Sequence, residues 1–283
     1  MAQPKEHTEY IYNSVVKLAL RSFALDWAWV HTPAIPKKYV FLIKKYLFLI
    51  AYPLFWDTQT HSYRIHLWNR DVHLENREHI GIIQSTFVNN AYLKQTVPPH
   101  GTIIDIGAHT GEFALFSDVY LEAGRIYSFE PVGRSYELLT HNKKDHTYHL
   151  AIGTKENIIM YIPQQTAMAS AVPTGQDHHH ETVACARLDE HPEIDTTSHI
   201  DLLKIDVEGM EYDVLMASIK TLQKTQTLLV EISIDRPATK PPMETVASIH
   251  AIVPTFELSH IGQIFGDFTW TDSVDFLFER QEY

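Results

Sequence analysis

From residue 98 onward the chain alternates short, nearly continuous apolar runs with longer stretches whose apolar residues recur at helical spacing. The runs at 102–106, 125–130, 148–152, 201–206, 228–234 and 273–279 read as strands, because a short apolar run suits a strand buried on both faces. Stretches around 112–123, 134–142, 209–225 and 242–252 read as amphipathic helices. Repeated alternation of the two predicts an α/β fold, a Rossmann-like, mostly parallel twisted sheet with helices on both faces. Residues 157–188 break the rhythm. There, 158–162 and 182–188 read as an inserted hairpin around a long polar loop, a length that usually carries function or mobility.

The composition shifts at Pro98-Pro99-His100-Gly101, which sets an expected boundary between an accessory segment, 1–97, and a larger domain, 98–283. The first segment reads as mainly helical, with room for a short strand pair. Within it 37–56 is strongly apolar, but its longest unbroken run, 46–56, is well short of the roughly 18 residues of a spanning helix. Lys37, Lys38, Lys44 and Lys45 recur at seven-residue spacing beside Phe41, Leu42, Phe48 and Leu49. A helix with that pattern suits the surface of an anionic membrane, so peripheral membrane contact is one expectation. The plainer one is an apolar face packed on the larger domain or a second subunit, with the lysines in water.

Composition narrows the class. The 283 residues are 45% apolar and 20% charged, ordinary for a globular protein, and hold one cysteine, Cys185, so no intrachain disulfide is expected. The first residues lack the layout of a secretory leader, which makes the cytoplasm the expected location. Residues 1–97 hold 11 Lys and Arg against 7 Asp and Glu, and the remainder 12 against 28, giving +4 and −16. A domain so acidic is not expected to bind nucleic acid, where phosphate neutralisation supplies most non-specific affinity.

Three segments carry chemistry. In 102–113 an apolar strand enters a small-residue turn and then a helix, through Asp105, Gly107, Ala108, His109 and Gly111. Glycines there allow close approach of a ligand, and free N–H groups at the helix start favour an anion. The dinucleotide pattern aligned on Gly107 needs glycine at 105 and 110, where Asp105 and Thr110 stand instead. An acid in that turn repels pyrophosphate and accepts from an ammonium group, so an amino-acid-bearing cofactor suits it better than NAD. Next, 125–131 puts Glu130, followed by Pro131, at the end of the second strand, where a carboxylate can accept from both hydroxyls of a ribose. Finally, 200–211 gathers Lys204, Asp206, Glu208 and Glu211 at a buried strand end, with Lys204 and Asp206 on one face. A structural ion pair is the bland alternative.

These segments resemble the motifs of the FkbM methyltransferase family: D-x-G-A-x-x-G, then F-E-P, then L-L-K-I-D-V-E-G-x-E, in order and at similar spacing. His149-Leu150-Ala151-Ile152-Gly153 and Leu228-Leu229-Val230-Glu231-Ile232 resemble two weaker family segments. The likeness covers about 98–283. One departure is His109, where the family commonly has asparagine. The resemblance implies a class I methyltransferase fold and methyl transfer from S-adenosylmethionine, often to a hydroxyl of a sugar, glycan or natural product. Carried over, Asp105, Gly107, Ala108, His109 and Gly111 line the methionyl end, Glu130 and Pro131 the ribose, and Ala151 the adenine. Asp206 leads as the acceptor's base, with Lys204, Glu208 and Glu231 completing the catalytic set and Glu211 a further alternate. No metal is predicted, although an acidic cluster of this kind could hold Mg²⁺. His178-His179-His180 reads as a solvated loop, since adjacent side chains diverge. The competing readings are a non-catalytic nucleoside-binding or membrane-surface module and an NAD-dependent oxidoreductase.

Overall fold

The computed structural model describes residues 22–281 apart from 34, 164–168, 174–178, 235–237, 239 and 268–269. Contacts divide the chain into two compact units, Met1–Ala91 and Tyr92–Tyr283.

In the first unit, residues 22–31 form α1 and Lys38–Ala51 form α2. An antiparallel sheet follows, of β1 (Trp56–Asp57), β2 (Ser62–Leu67) and β3 (Arg70–Leu74), and then α3 (His79–Asn89). The two-residue turn between β2 and β3 places Trp68 and Asn69 at positive φ, as a hairpin turn that follows strand twist requires. A tryptophan is unusual there, and its surroundings hold it. Its indole N–H donates to the Pro36 carbonyl at 2.8 Å, and its ring stacks on Phe41 and Phe87 at 5.4 and 4.8 Å.

The expectation of four solvated lysines on α2 is corrected. Lys45 is only 3% exposed and donates to Asp26 and Gln84 at 2.6 and 2.8 Å, while Lys44 donates to the His66 carbonyl. Phe41 and Phe48 are buried beside it against rings of the first unit itself, such as Trp29, Trp68 and Tyr63, where the expectation was the larger domain or a second subunit. The outer face instead carries Tyr39, Ile43, Tyr46, Leu47 and Ile50, continued by Leu54 beyond the helix, the last two 81% and 86% exposed. Turning the ammonium inward requires the Asp26 carboxylate, because an unpaired buried charge is too costly to keep.

The second unit is built on a seven-stranded sheet in the order β12-β13-β11-β10-β4-β5-β6. Its strands are β4 (Thr102–Ile106), β5 (Arg125–Phe129), β6 (Thr147–Tyr148), β10 (Ile200–Ile205), β11 (Thr225–Ser233), β12 (Phe256–Asp267) and β13 (Trp270–Arg280). From β11 to β6 every pairing is parallel, whereas β13 runs antiparallel to β11 and β12. A second, small sheet orders β7 (Ala151–Ile152), β9 (His179–Ala186) and β8 (Asn157–Ile162). The helices are α4 (Glu112–Phe116), α5 (Gly133–Asn142), α6 (Pro192–Thr196), α7 (Glu211–Ala217), α8 (Ile219–Gln223) and α9 (Pro242–Ile252). The core holds Ile104, Ile106, Leu203, Ile205, Leu228 and Val230, each contributing on the order of 1.5–3 kcal/mol by full burial. This is the expected α/β fold, and the inserted hairpin is present as β8 and β9.

Three expectations are revised. The run 148–152 is two strands: Tyr148 pairs with Phe129 in the main sheet, and Ala151 with Cys185 in the small one. The helix over 209–225 breaks at Ser218, whose φ of −127° leaves the helical range. The following turn is capped from afar, with Asp189 accepting from the N–H groups of Lys220 and Thr221 at 3.0 and 2.8 Å. Finally, β12 falls in a stretch read as loop.

Candidate functional site

Strand order reverses between β4 and β10, since β5 and β6 lie to one side and β11 to the other. A crevice opens outside the carboxyl ends of strands at such a switch point, where open α/β sheets hold ligands. The sequence-predicted residues converge there. Asp105 lies in β4, Gly107 to Gly111 in the turn after it, Glu130 and Pro131 after β5, Lys204 and Asp206 at the end of β10, and Glu231 in β11. Ala151 is buried in a satellite cluster with Val132, Cys185 and Met210.

The turn after β4 is held differently from the open anion cradle expected. Gly107 and Ala108 both donate to the Phe129 carbonyl at 3.0 Å, and Gly111 donates to the Ala108 carbonyl at 2.9 Å. Those three N–H groups serve the turn itself. Gly107 has a second task the sequence did not reveal. At φ +80°, a Cβ added to it would lie 1.7 Å from the Asp206 carbonyl oxygen, so its lack of a side chain lets the ends of β4 and β10 meet. His109 sits at φ +48°, a conformation that histidine shares with asparagine and aspartate more readily than other residues do. That accounts for histidine where the resembled motif has asparagine. Its ring pairs with Glu112, Nδ1 to Oε1 at 3.0 Å.

Glu130 joins the two turns. One carboxylate oxygen accepts from the His109 N–H and the other from the Val132 N–H, each at 2.8 Å. An ionised carboxylate has about four acceptor directions, so capacity for two further donors remains. Burial raises the Glu130 carboxyl to about 7, against the pull of nearby His109 and these backbone donors. The sign of the consequence follows. The unfolded carboxyl ionises near its ordinary 4.5 and the folded one near 7, so the folded state binds more protons in between. Stability therefore falls as pH rises through that window, by about 3 kcal/mol once the window is passed. Glu130→Gln is expected to flatten this slope in melts taken between about pH 5 and about pH 8. An unchanged slope would discard the assignment.

At β10, Lys204 is the hub. Its Nζ lies 3.0 Å from Asp206 Oδ2, 3.4 Å from Asp105 Oδ1 and 5.3 Å from the Phe113 ring centroid. Burial alone would lower its pKa, but Asp206 and Asp105 outweigh burial and hold the ammonium above its ordinary value. Asp105 is fully buried, and neither of its oxygens accepts a hydrogen bond. Burial pushes its carboxyl up, with the Lys204 charge opposing.

Glu231 accepts from the Ser273 hydroxyl and is raised well above the ordinary range by burial and then by the charges of Asp206 and Asp275. Glu208 stands at φ +51°, its carbonyl accepting from the Ser170 hydroxyl at 2.5 Å. Glu211, an alternate base from the sequence, is buried and ties two elements together. Its Oε1 accepts from the Gly209 N–H and the Ser233 hydroxyl at 2.8 and 3.1 Å.

Sequence reasoning missed Asp275. It lies directly opposite Glu231 in the β11–β13 register and is 7% exposed. Burial and the nearby Asp206 raise its carboxyl to about 7. A lone acid inside the apolar run 274–278 was the available signal. Of the histidine triplet, His178 lies outside the described residues, while His179 and His180 are exposed at the start of β9. Cys185 is buried among apolar side chains, as expected.

A family model, the methyltransferase FkbM domain, matches residues 105–260, more than half of the chain and the whole of the crevice from Asp105 to Glu231. No curated protein matches the sequence. Among solved structures the chain is similar to an FkbM methyltransferase from Methylobacillus flagellatus KT, with 16% identity over 68% of this chain and 54% of that one, at a TM-score of 0.41. It thus spans about half of that protein's length. It is also similar to Aeropyrum pernix fibrillarin bound to S-adenosyl-L-methionine, with 12% identity over 65% and 68% of the two chains at a TM-score of 0.41. A third is Methanococcus jannaschii fibrillarin, a pre-rRNA processing protein, with 12% identity over 77% and 82% at 0.43.

Proposed function

The chain belongs to the FkbM methyltransferase family, and from that premise we propose that it transfers a methyl group from S-adenosylmethionine to a hydroxyl oxygen of a sugar, glycan or small natural-product acceptor. The observation that carries the proposal is the meeting of Asp105, Glu130 and Asp206 at one switch point. The donor set fits the cofactor. Asp105, fully buried against Lys204, sets a negative charge beneath the turn that favours a cationic amino-acid end above it, and Glu130 keeps acceptor capacity for a ribose diol. Asp105, Gly107, Ala108, His109 and Gly111 are assigned to the methionyl end, Glu130 and Pro131 to the ribose, and Ala151 to the adenine.

The bound cofactor supplies an electrophilic methyl group on sulfur. The protein's part is to align an acceptor oxygen and take its proton. Asp206 is the proposed base, because its side chain is 30% exposed and can be reached, whereas Asp105 is sealed. Lys204 donates to Asp206 Oδ2 and so fixes the carboxylate's orientation. Glu208 and Glu231 border the same space and complete the proposed catalytic set. The charge of −16 on residues 98–283 favours a neutral or cationic acceptor over a polyanion.

The test is calorimetry of the purified chain with S-adenosylmethionine and, separately, NAD, followed by tritiated methyl transfer into a fractionated cell extract. Saturable heat with the first ligand alone and label in a hydroxylated fraction are expected. No heat with S-adenosylmethionine would end the cofactor reading. Label in RNA would replace the acceptor class.

We propose, from the outer face of α2, peripheral contact with a membrane surface, and keep the cytoplasm as the expected location. No helix among the described residues is long and apolar enough to cross a membrane. Tyr39, Ile43, Leu47 and Ile50 nevertheless face outward, while Lys37, Lys38 and Lys44 donate to Asn69 Oδ1 and to the Val30 and His66 carbonyls. A helix with such an apolar outer face can lie in the plane of a membrane interface. The chain is expected to float with anionic liposomes, and Ile50→Asp with Leu54→Asp to remain at the bottom of the gradient. Equal flotation of both proteins would dismiss the contact.

A further inference from the structure

Four carboxylates crowd the carboxyl edge of the sheet beyond the Lys204 ion pairs. The register of β10 with β11 pairs Ile205 with Val230, so Asp206 follows beside Glu231, and Glu231 faces Asp275 across β11 and β13. Three adjacent strands therefore present acids on one face in one row. One carboxylate oxygen each from Asp206, Glu208 and Glu231 lies within 4.8 Å of the other two. That upper bound is close to twice the roughly 2.0–2.6 Å cation–oxygen distance, so small side-chain shifts bring the three oxygens onto one cation.

A second observation points to a ligand. Asp275, 7% exposed, has no hydrogen-bond or ion-pair partner among the described residues, although its carboxylate lies within electrostatic reach of Asp206, Glu231 and the Lys204 ammonium. Beside it the Tyr92 hydroxyl is buried and also makes no hydrogen bond. A buried polar group without a protein partner calls for another one, such as a bound ion. Lys204 is the one cation among the described residues within ion-pair distance of Asp206, and it is shared with Asp105. None lies within that distance of Glu231 or Asp275. One ammonium, paired with Asp105 and Asp206 and only within longer electrostatic reach of Glu231 and Asp275, is a single charge against four carboxyls.

We propose that Asp206, Glu208 and Glu231 bind a hard divalent cation of the Mg²⁺ or Mn²⁺ class, with Asp275 as the buried, unpartnered carboxyl behind them. Oxygen-only donors exclude a preference for soft metals. Asp206, Glu208 and Glu231 are all partly exposed, so an ion can enter and keep several waters, as Mg²⁺ does. Lys204 donates to Oδ2 of Asp206, which leaves Oδ1 for a cation.

The test uses the full chain, stripped with chelator and titrated with Mn²⁺ while the free-ion spin-resonance signal is followed. A single saturable equivalent, displaced by Mg²⁺, is expected. Glu231→Gln and Asp275→Asn should each weaken it about tenfold or more. Glu208→Gln, at a partly exposed position that threatens folding least, should do the same, and cooperative melting verifies that every variant is folded. No saturation up to about 1 mM Mn²⁺, or binding indifferent to all three substitutions, overturns the site. Cofactor affinity measured in chelator keeps the two claims apart. Cation binding without S-adenosylmethionine binding supports this site and removes the cofactor reading; the reverse result removes this site.

Discussion

Asp206→Asn is expected to lower methyl transfer by roughly 10²–10⁴-fold, the range for loss of a positioned general base, while the affinity for S-adenosylhomocysteine changes little. Asparagine keeps the size of the side chain and one acceptor oxygen, but it cannot take a proton at neutral pH. Lys204 retains Asp105 at 3.4 Å, so its ammonium is not left unpaired. Glu130, tied to the N–H groups of His109 and Val132, is untouched by the change. Labelled methyl transfer under single-turnover conditions and calorimetry with the demethylated product separate the two effects. Turnover near that of the unaltered chain would mean that Asp206 does not accept the proton, and Glu231 or Glu208 would take its place.

Gly107→Ala should disrupt the domain itself. The positive φ costs an L-residue about 1–2 kcal/mol. The larger penalty is steric, since the new methyl carbon would stand 1.7 Å from the Asp206 carbonyl oxygen and 2.8 Å from its carbon. Neither atom is free to retreat, because the Asp206 N–H donates to the Ile106 carbonyl at 3.0 Å in the same junction. A loss above about 4 kcal/mol is expected, read as failure to fold or as a large fall in melting temperature. Gly111→Ala gives the contrast. Its φ is +100°, but the nearest atom is Leu139 Cδ1 at 3.0 Å, the end of a flexible side chain. It should lose mainly the backbone cost, about 1–2 kcal/mol. Equal melting of the two variants would contradict the packing described for the junction.

The difference between these glycines separates what a sequence displays from what it conceals. Both stand in a strand-to-helix turn, and both read as positions for close approach. Only the register of β10 against β4 reveals that one of them abuts a backbone carbonyl from a hundred residues away. The same holds for Lys45. Seven-residue spacing placed it correctly in one stripe with Lys38, but its direction was decided by Asp26 and Gln84, which reach it from α1 and α3.

The sequence alone determined the parallel core and the strand ends where the candidate site is placed. Runs such as 102–106 and 201–206 are apolar enough to be buried on both faces, and burial of that kind is a local property. The acids that interrupt or follow them, Asp105, Glu130 and Asp206, were legible for the same reason, since a carboxylate at a buried strand end needs a partner. Tertiary structure decided the rest. The run 148–152 divides because its two ends find different partners, Phe129 and Cys185. The edge strand β12 has register shifts against β13 and no strong alternation of its own, so it exists through its neighbour. Asp275 joins the acidic row because antiparallel pairing sets it opposite Glu231. Burial tendency is carried by each residue and its immediate neighbours, whereas pairing and electrostatic company depend on segments that only the closed chain brings together.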